Sequence, residues 1–231
     1  MKYFMALFSF VAALATPVLA APVPATPTVN ISLWPDGWCA NLNVVVDAWE
    51  NPTIDTDVTA VKADAAALPL QVVKDGDATT ITGKYHCPTG GIHNWIRTTG
   101  PTFRVVVHVP QGTTLSARSS SGSVEVHGVR GAIVASSTNG GVTIDGAFSS
   151  VHASSTNGDV SLTVLKNTGE PNIALSTVNG NVHLRVPTTF AARVRTSVAN
   201  GDVHNPLEHA TGSGSARLQS TNGDISVTVG D

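Results

Sequence analysis

Charge is scarce in this chain. Asp, Glu, Lys and Arg together make up 13% of 231 residues, and aromatic residues only 5%. A chain this poor in charge is no solvated linker, and 42% apolar residues is too many for a disordered one. Thirteen basic residues against sixteen acidic ones leave a formal charge of −3, which gives no electrostatic reason to expect nucleic acid or an anionic membrane as partner. There are two cysteines, with no CxxC spacing, and His86 stands alone beside Cys87, so neither a metal nor another cofactor is expected. No G-x-S-x-G elbow, HExxH, P-loop or dinucleotide fingerprint occurs, so no catalytic residue is assigned. Nor does any apolar run reach the ~20 residues that a membrane span needs.

The longest apolar run, Phe4 to Leu14, follows Lys2 and precedes Val18-Leu19-Ala20, with small residues at −3 and −1. That pattern predicts a signal peptide over residues 1–20, cleavage after Ala20 and a secreted mature chain without a membrane span. In an oxidising compartment Cys39 and Cys87 are expected to pair, closing a loop that contributes about 4 kcal/mol. Asn30-Ile31-Ser32 is a glycosylation sequon, whereas Asn51-Pro52-Thr53 is blocked by its proline.

Residues 21–28 (Ala-Pro-Val-Pro-Ala-Thr-Pro-Thr) read as an extended Pro-rich lead with little order. Short alternating runs follow at Leu42 to Val46, Val58 to Val61, Leu70 to Val73 and Thr79 to Thr82, with Ala63 to Leu68 suited to one helical turn. All four tryptophans, Trp34, Trp38, Trp49 and Trp95, and both cysteines fall before residue 103. A stack of strands has to be closed at its end, so residues 29–102 are expected to form a β-rich, disulfide-linked cap with buried tryptophans. The alternative use of exposed tryptophan is a platform for stacking carbohydrate.

Beyond the strand Phe103 to Val109, one unit recurs: an alternating run, an Asn-Gly or Ser-Gly pair, and a second alternating run. Its glycines are Gly122, Gly140, Gly158, Gly180, Gly201 and Gly223, at steps of 18, 18, 22, 21 and 22 residues. A period of this size marks a stacked architecture. Asn-Gly also suits a two-residue hairpin, but each copy repeats the same apolar positions. Two and four residues after glycine these are Val124 and Val126, Val142 and Ile144, Val160 and Leu162, Val182 and Leu184, Val203 and Asn205, and Ile225 and Val227. Successive coils would stack Asn139, Asn157, Asn179, Asn200 and Asn222 into a ladder, with glycine supplying the corner conformation. Asn205-Pro206 breaks the fifth copy and predicts a loop there.

Val107-His108-Val109-Pro110-Gln111-Gly112-Thr113, followed by serial Ser-Ser-Thr-Asn-Gly-Asp-Val units, resembles the DUF4097 "putative adhesin" family and is similar to the auto-transporter-adhesin-head type of β-helix. The resemblance covers residues 103–231 well and 29–102 weakly. It implies an all-β, single-stranded β-solenoid, right-handed and of about six coils, secreted or on a cell surface, with no catalytic residues to transfer.

Two outward-facing clusters follow from stacking. His127, Glu125 and Asp145 meet in one. His183, Arg185 and His204 meet in the other, a basic patch suited to an acidic glycan. Asp159, Asp202 and Asp224 follow turns, where Asp is an ordinary residue, and lack the spacing of Ca²⁺-binding repeats. The reading is an adhesin-like, non-catalytic protein that binds a cell-wall glycan or surface protein. Its alternatives are a polysaccharide-cleaving enzyme using Glu125 and Asp145, and self-association through the edge of the last strand, Ile225 to Val229.

Overall fold

Period-two alternation sends every second side chain to one side of a strand, so a chain of such runs must cover one apolar face with another. In the computed structural model this gives two large facing sheets, mixed and not closed, over one core. The structure describes residues 18–37, 39–87, 100–165 and 171–230. Residues 1–17, where most of the expected signal peptide falls, Trp38 and Trp95 lie outside the described residues.

The N-terminal strands are β1 (Val18–Pro24), β2 (Thr28–Pro35), β3 (Asn41–Trp49), β4 (Thr53–Val61), β5 (Leu70–Asp75), β6 (Ala78–Tyr85) and β7 (Thr102–Pro110). The helical turn is a 3₁₀ turn, Ala65–Ala67, capped by Asp64, whose carboxylate accepts from the Ala66 N–H at 3.0 Å. Each repeat then supplies a long strand, a corner and a short strand. These are β8 (Thr114–Ser121) with β9 (Val124–His127), β10 (Ala132–Asn139) with β11 (Val142–Gly146), and β12 (Ser150–Asn157) with β13 (Val160–Val164). The last three are β14 (Asn172–Asn179) with β15 (Val182–Val186), β16 (Ala192–Asn200) with β17 (Val203–His204), and β18 (Gly214–Asn222) with β19 (Ile225–Val229).

Short strands join sheet A, in the order β1-β4-β7-β3-β9-β11-β13-β15-β19-β17. Long strands join sheet B, in the order β16-β18-β14-β12-β10-β8-β2-β6-β5. Repeat strands pair in parallel and in register, Val142 beside both Val124 and Val160, for example. The sheets continue unbroken into the N-terminal third, where β2 lies beside β8 and β3 beside β9. β1, antiparallel to β4, and β5, antiparallel to β6, border that end, and the Cys39–Cys87 disulfide ties the segment before β3 to the segment after β6.

The expected core positions are buried throughout the first four repeats and the sixth: Val124, Val126, Val142, Ile144, Val160, Leu162, Val182, Leu184, Ile225 and Val227 are all at most 1% exposed. The corners explain the glycines. A Cβ on Gly158 would fall 2.4 Å from the carbonyl oxygen of Gly140, so close approach of stacked corners, together with φ +155°, excludes any side chain. The small residues beside the corners are also accounted for. Buried hydroxyls of Ser137, Ser155, Thr177 and Ser220 donate to the carbonyls of Gly122, Gly140, Gly158 and Gly180 at 2.7, 2.8, 2.8 and 3.0 Å. Each hydroxyl gives a partner to a buried or partly buried carbonyl of the neighbouring rung.

Four expectations need correction. The repeats do not stack in chain order: the sixth inserts between the fourth and the fifth, β18 pairing with β14 and β16, and β19 with β15 and β17. Ile225 and Ser226 are therefore covered on both sides, by β15 and β17, whereas Val227, Thr228 and Val229 pair with β15 alone. The physical reason is Asn205-Pro206, which cuts β17 to two residues. A two-residue strand is a poor template, so the full-length β19 pairs with full-length β15 and the broken copy is left at the rim. Val203, expected inside, is 45% exposed there because no further rung covers it.

Trp34 and Trp49 do not plug the end. Trp34 follows Val29, Ile31 and Leu33, which take the inward positions of β2, so Trp34 falls on the outer face and is 36% exposed. Trp49 is out of phase with Leu42, Val44 and Val46 in the same way and is half-buried. Finally, the Pro-rich lead is not loose as far as Pro24. Val23 and Pro24 pair antiparallel with Ile54 and Thr53, after a shift in register that spans Pro22, which has no N–H to donate.

Candidate functional site

The outer faces of the two sheets carry the side chains left over once the core is built. On sheet A, register places Asp55 of β4 beside His108, His108 beside Asp47, Asp47 beside His127, and His127 beside Asp145. The result is a row of alternating carboxylates and imidazoles across five strands, spaced about 4.8 Å apart. Alternation keeps like charges from standing directly opposite one another.

The first expected cluster is assembled within this row. His127 Nδ1 bonds Asp145 Oδ2, and His127 Nε2 lies 4.0 Å from Glu125 Oε2. Arg104 Nη1 approaches the same Glu125 oxygen at 3.9 Å, and Ser123 Oγ donates to Glu125 Oε1 at 3.3 Å. Both carboxylates proposed as a hydrolytic pair are thus engaged by neighbouring cationic or donor groups. Asp47, Asp55 and His108 were missed in the sequence because they lie on strands outside the repeat; their outward phase in alternating runs was the available signal. His108 also stacks under Trp49, ring centroids 4.9 Å apart and planes 24° apart, and Trp49 Nε1 donates to the Thr53 carbonyl at 2.8 Å.

The second expected cluster is not brought together. His183 stands beside Ser226 and Ser226 beside His204, so the inserted β19 separates the two imidazoles by a full strand. Arg185 faces Thr163 on one side and Thr228 on the other.

The asparagine ladder forms, in the rearranged order. Asn157 donates to Asn139 Oδ1, Asn179 to Asn157, Asn222 to Asn179 and Asn200 to Asn222, all at 2.8–2.9 Å. The acids after the corners have structural partners too. Asp159 Oδ1 accepts from the Asn181 N–H at 2.7 Å, and Asp224 Oδ1 from the Asp202 N–H at 2.9 Å. Among the described residues, no group of three His, Cys, Asp or Glu side chains could hold a metal ion. Asn30 lies half-buried in the middle of β2, an interior strand of sheet B.

Near the disulfide, Asp36 accepts from the Cys87 N–H at 2.6 Å and from His86 Nδ1 at 2.8 Å. These contacts, the backbone bond foremost, hold its carboxyl below the ordinary value.

Fold and faces together define an all-β protein of stacked repeats presenting two broad polar surfaces. The chain belongs to the Toastrack DUF4097 family, whose match spans residues 111–230. No curated protein matches it in sequence. It is similar in fold to a "putative cell adhesion protein" from Clostridium sporogenes, with TM-score 0.58 and 8% identity over 93% of this chain and 99% of that one. A "putative adhesin" from Bacteroides fragilis aligns over 92% of this chain and 97% of that one at 10% identity, with a TM-score of only 0.39. At such identities the likeness concerns the fold alone.

Proposed function

We propose that the chain is a secreted, non-catalytic β-solenoid that acts by surface contact, binding a cell-wall glycan or a surface protein. In this reading each repeat is one coil, and the coil is right-handed, as crossovers between parallel strands nearly always are. The observation that carries the proposal is the outer face of sheet B. There Ser32, Arg118, Ser136, Ser154, Ser176 and Gln219 stand side by side on six adjacent strands, a flat row of hydrogen-bonding groups repeated at the strand spacing. Such a surface suits an extended partner with a repeat of its own. Family membership and the fold shared with a protein named for adhesion support the same reading.

Purified mature protein, screened against cell-wall fractions, polysaccharides and matrix proteins, should bind at least one of them. Failure to bind any would overturn the reading. Secretion is tested separately: the exported protein should begin at Ala21. Cleavage there removes the first residues of β1 yet leaves Val23 and Pro24 paired with β4.

A further inference from the structure

The net charge of −3 conceals a strong separation. The strands of sheet A carry five carboxylates (Asp47, Asp55, Asp57, Glu125, Asp145) against two arginines, whereas those of sheet B carry six Lys and Arg residues against the single carboxylate of Asp75. The basic side is densest at its rim. Arg195 of β16 and Arg217 of β18 are in-register neighbours, and Arg193 lies two residues before Arg195 on the same outer face.

Like charges directly opposite on adjacent strands are unfavourable unless something neutralises them. Among the described residues, none of these three arginines takes part in an ion pair. They line an open groove of about 530 Å³, together with Asn172, Ser213 and Ser215 and, among the described residues, with no carboxylate. Ser215 Oγ donates to Asn172 Oδ1 at 3.2 Å, which leaves the Asn172 amide N–H groups available to a ligand.

Charged residues on an open strand also discourage pairing with a second copy. That explanation reaches Arg193 and Arg195 on the rim strand β16 but not Arg217, whose strand is paired on both sides.

We propose that this groove binds an acidic polysaccharide. Arg193, Arg195 and Arg217 pair with its carboxylate or sulfate groups, and Asn172 and Ser213 meet ring hydroxyls. Planar guanidinium groups match such oxyanions with two parallel hydrogen bonds, and their spacing of one strand separation, about 4.8 Å, suits charges repeated along a polymer. Among the described residues no aromatic side chain lines the groove to stack a nucleic-acid base. The proposal rests on the surface-binding reading and names its ligand class and site.

The test is titration of the full mature chain with polygalacturonate (carboxylate), dextran sulfate (sulfate) and neutral dextran, at low and high salt. One or both polyanions should bind, neutral dextran should not, and binding should weaken as salt screens the charges. The double variant Arg195→Ala/Arg217→Ala should lose about tenfold or more in affinity. The Arg→Lys pair should recover part of that loss, and Arg185→Ala/His204→Ala should leave affinity unchanged. An unchanged melting temperature separates lost binding from lost folding.

Binding of a neutral glucan or wall fraction without binding of either polyanion would overturn this site and leave the surface-binding reading standing. Equal polyanion affinity in the alanine double variant would overturn it as well, the more so if that variant self-associated, since the arginines would then guard the edge. Absence of binding to any polymer or wall fraction would overturn both.

Discussion

Asn222 donates its side-chain amide to Asn179 Oδ1 at 2.8 Å across 43 residues of sequence, and itself accepts from Asn200 at 2.9 Å. The final repeat is therefore built into the stack, and an earlier one forms the rim. Two consequences for function follow. The start of the last strand, Ile225 and Ser226, is covered on both sides, and the rim exposes a strand bearing Arg193 and Arg195 beside Arg217.

The ladder makes the order of stacking measurable. Asn222 both donates and accepts within it, whereas Asn200 only donates. Asn222→Ala should therefore cost more than Asn200→Ala, about 1 kcal/mol against about half that, since these exposed bonds compete with water. Denaturant unfolding of the two variants checks this; equal losses would mean that the sixth repeat is not interposed.

The corner hydroxyls should matter more than their size suggests. Ser155 is 6% exposed and donates to the Gly140 carbonyl at 2.8 Å, so Ser155→Ala leaves a partly buried acceptor without this partner and should cost about 1–2 kcal/mol. Ser154, its neighbour on the outer face, should tolerate alanine with a change within about 0.5 kcal/mol. Gly158→Ala should be worse than either, since its Cβ would meet backbone at 2.4 Å, which a rotamer change cannot relieve. Melting temperatures should fall from Ser154→Ala through Ser155→Ala to Gly158→Ala.

Most of the fold was legible because five of the six repeats state the same rule: apolar positions two and four after glycine, small residues before it. Alternation alone fixed the buried faces of β8 to β15. The order of the last two repeats was not legible, because adjacency in a stack is decided by which strands are long enough to pair, and Asn205-Pro206 acts only by comparison with Ile225 to Val229. The cluster of His183, Arg185 and His204 failed with that order. Glu125, His127 and Asp145 could be placed because Gly122 and Gly140 belong to consecutive rungs that do stack in sequence. The arginine rim was hidden for a different reason: net charge averages over both sheets, and only the assignment of strands to faces separates Asp47, Asp55 and Asp145 from Arg195 and Arg217.

Acid should loosen the N-terminal end first. Asp36 carries a carboxyl held below its ordinary value of 3.8, through the Cys87 N–H and then His86. A carboxyl depressed on folding stabilises the protein above its unfolded value, and that contribution fades as pH falls through the folded one. Wild type should therefore be more stable than Asp36→Asn at about pH 6, with the gap closing below about pH 4. Thermal melts across that range, with the disulfide intact, give the comparison. Reduction of Cys39–Cys87, by contrast, should cost about 4 kcal/mol for the 48-residue separation at any of these pH values.

Glu125 offers the sharpest test between a binding face and a hydrolytic one. Its carboxylate is a third exposed, 3.9 Å from Arg104 Nη1 and 4.0 Å from His127 Nε2, and it accepts from Ser123. A general acid in glycoside hydrolysis must keep a proton near neutral pH to give to the leaving oxygen, a state favoured by apolar burial. Glu125 has no such enclosure, its carboxylate being a third exposed beside Arg104. Glu125→Gln should accordingly leave polysaccharide turnover at background, as in wild type, and lower stability by less than about 1 kcal/mol, as expected for partly solvated pairs. Reducing-sugar release from a polysaccharide panel, measured for both proteins beside their unfolding curves, decides the point: cleavage by wild type that Glu125→Gln abolishes would establish the enzyme.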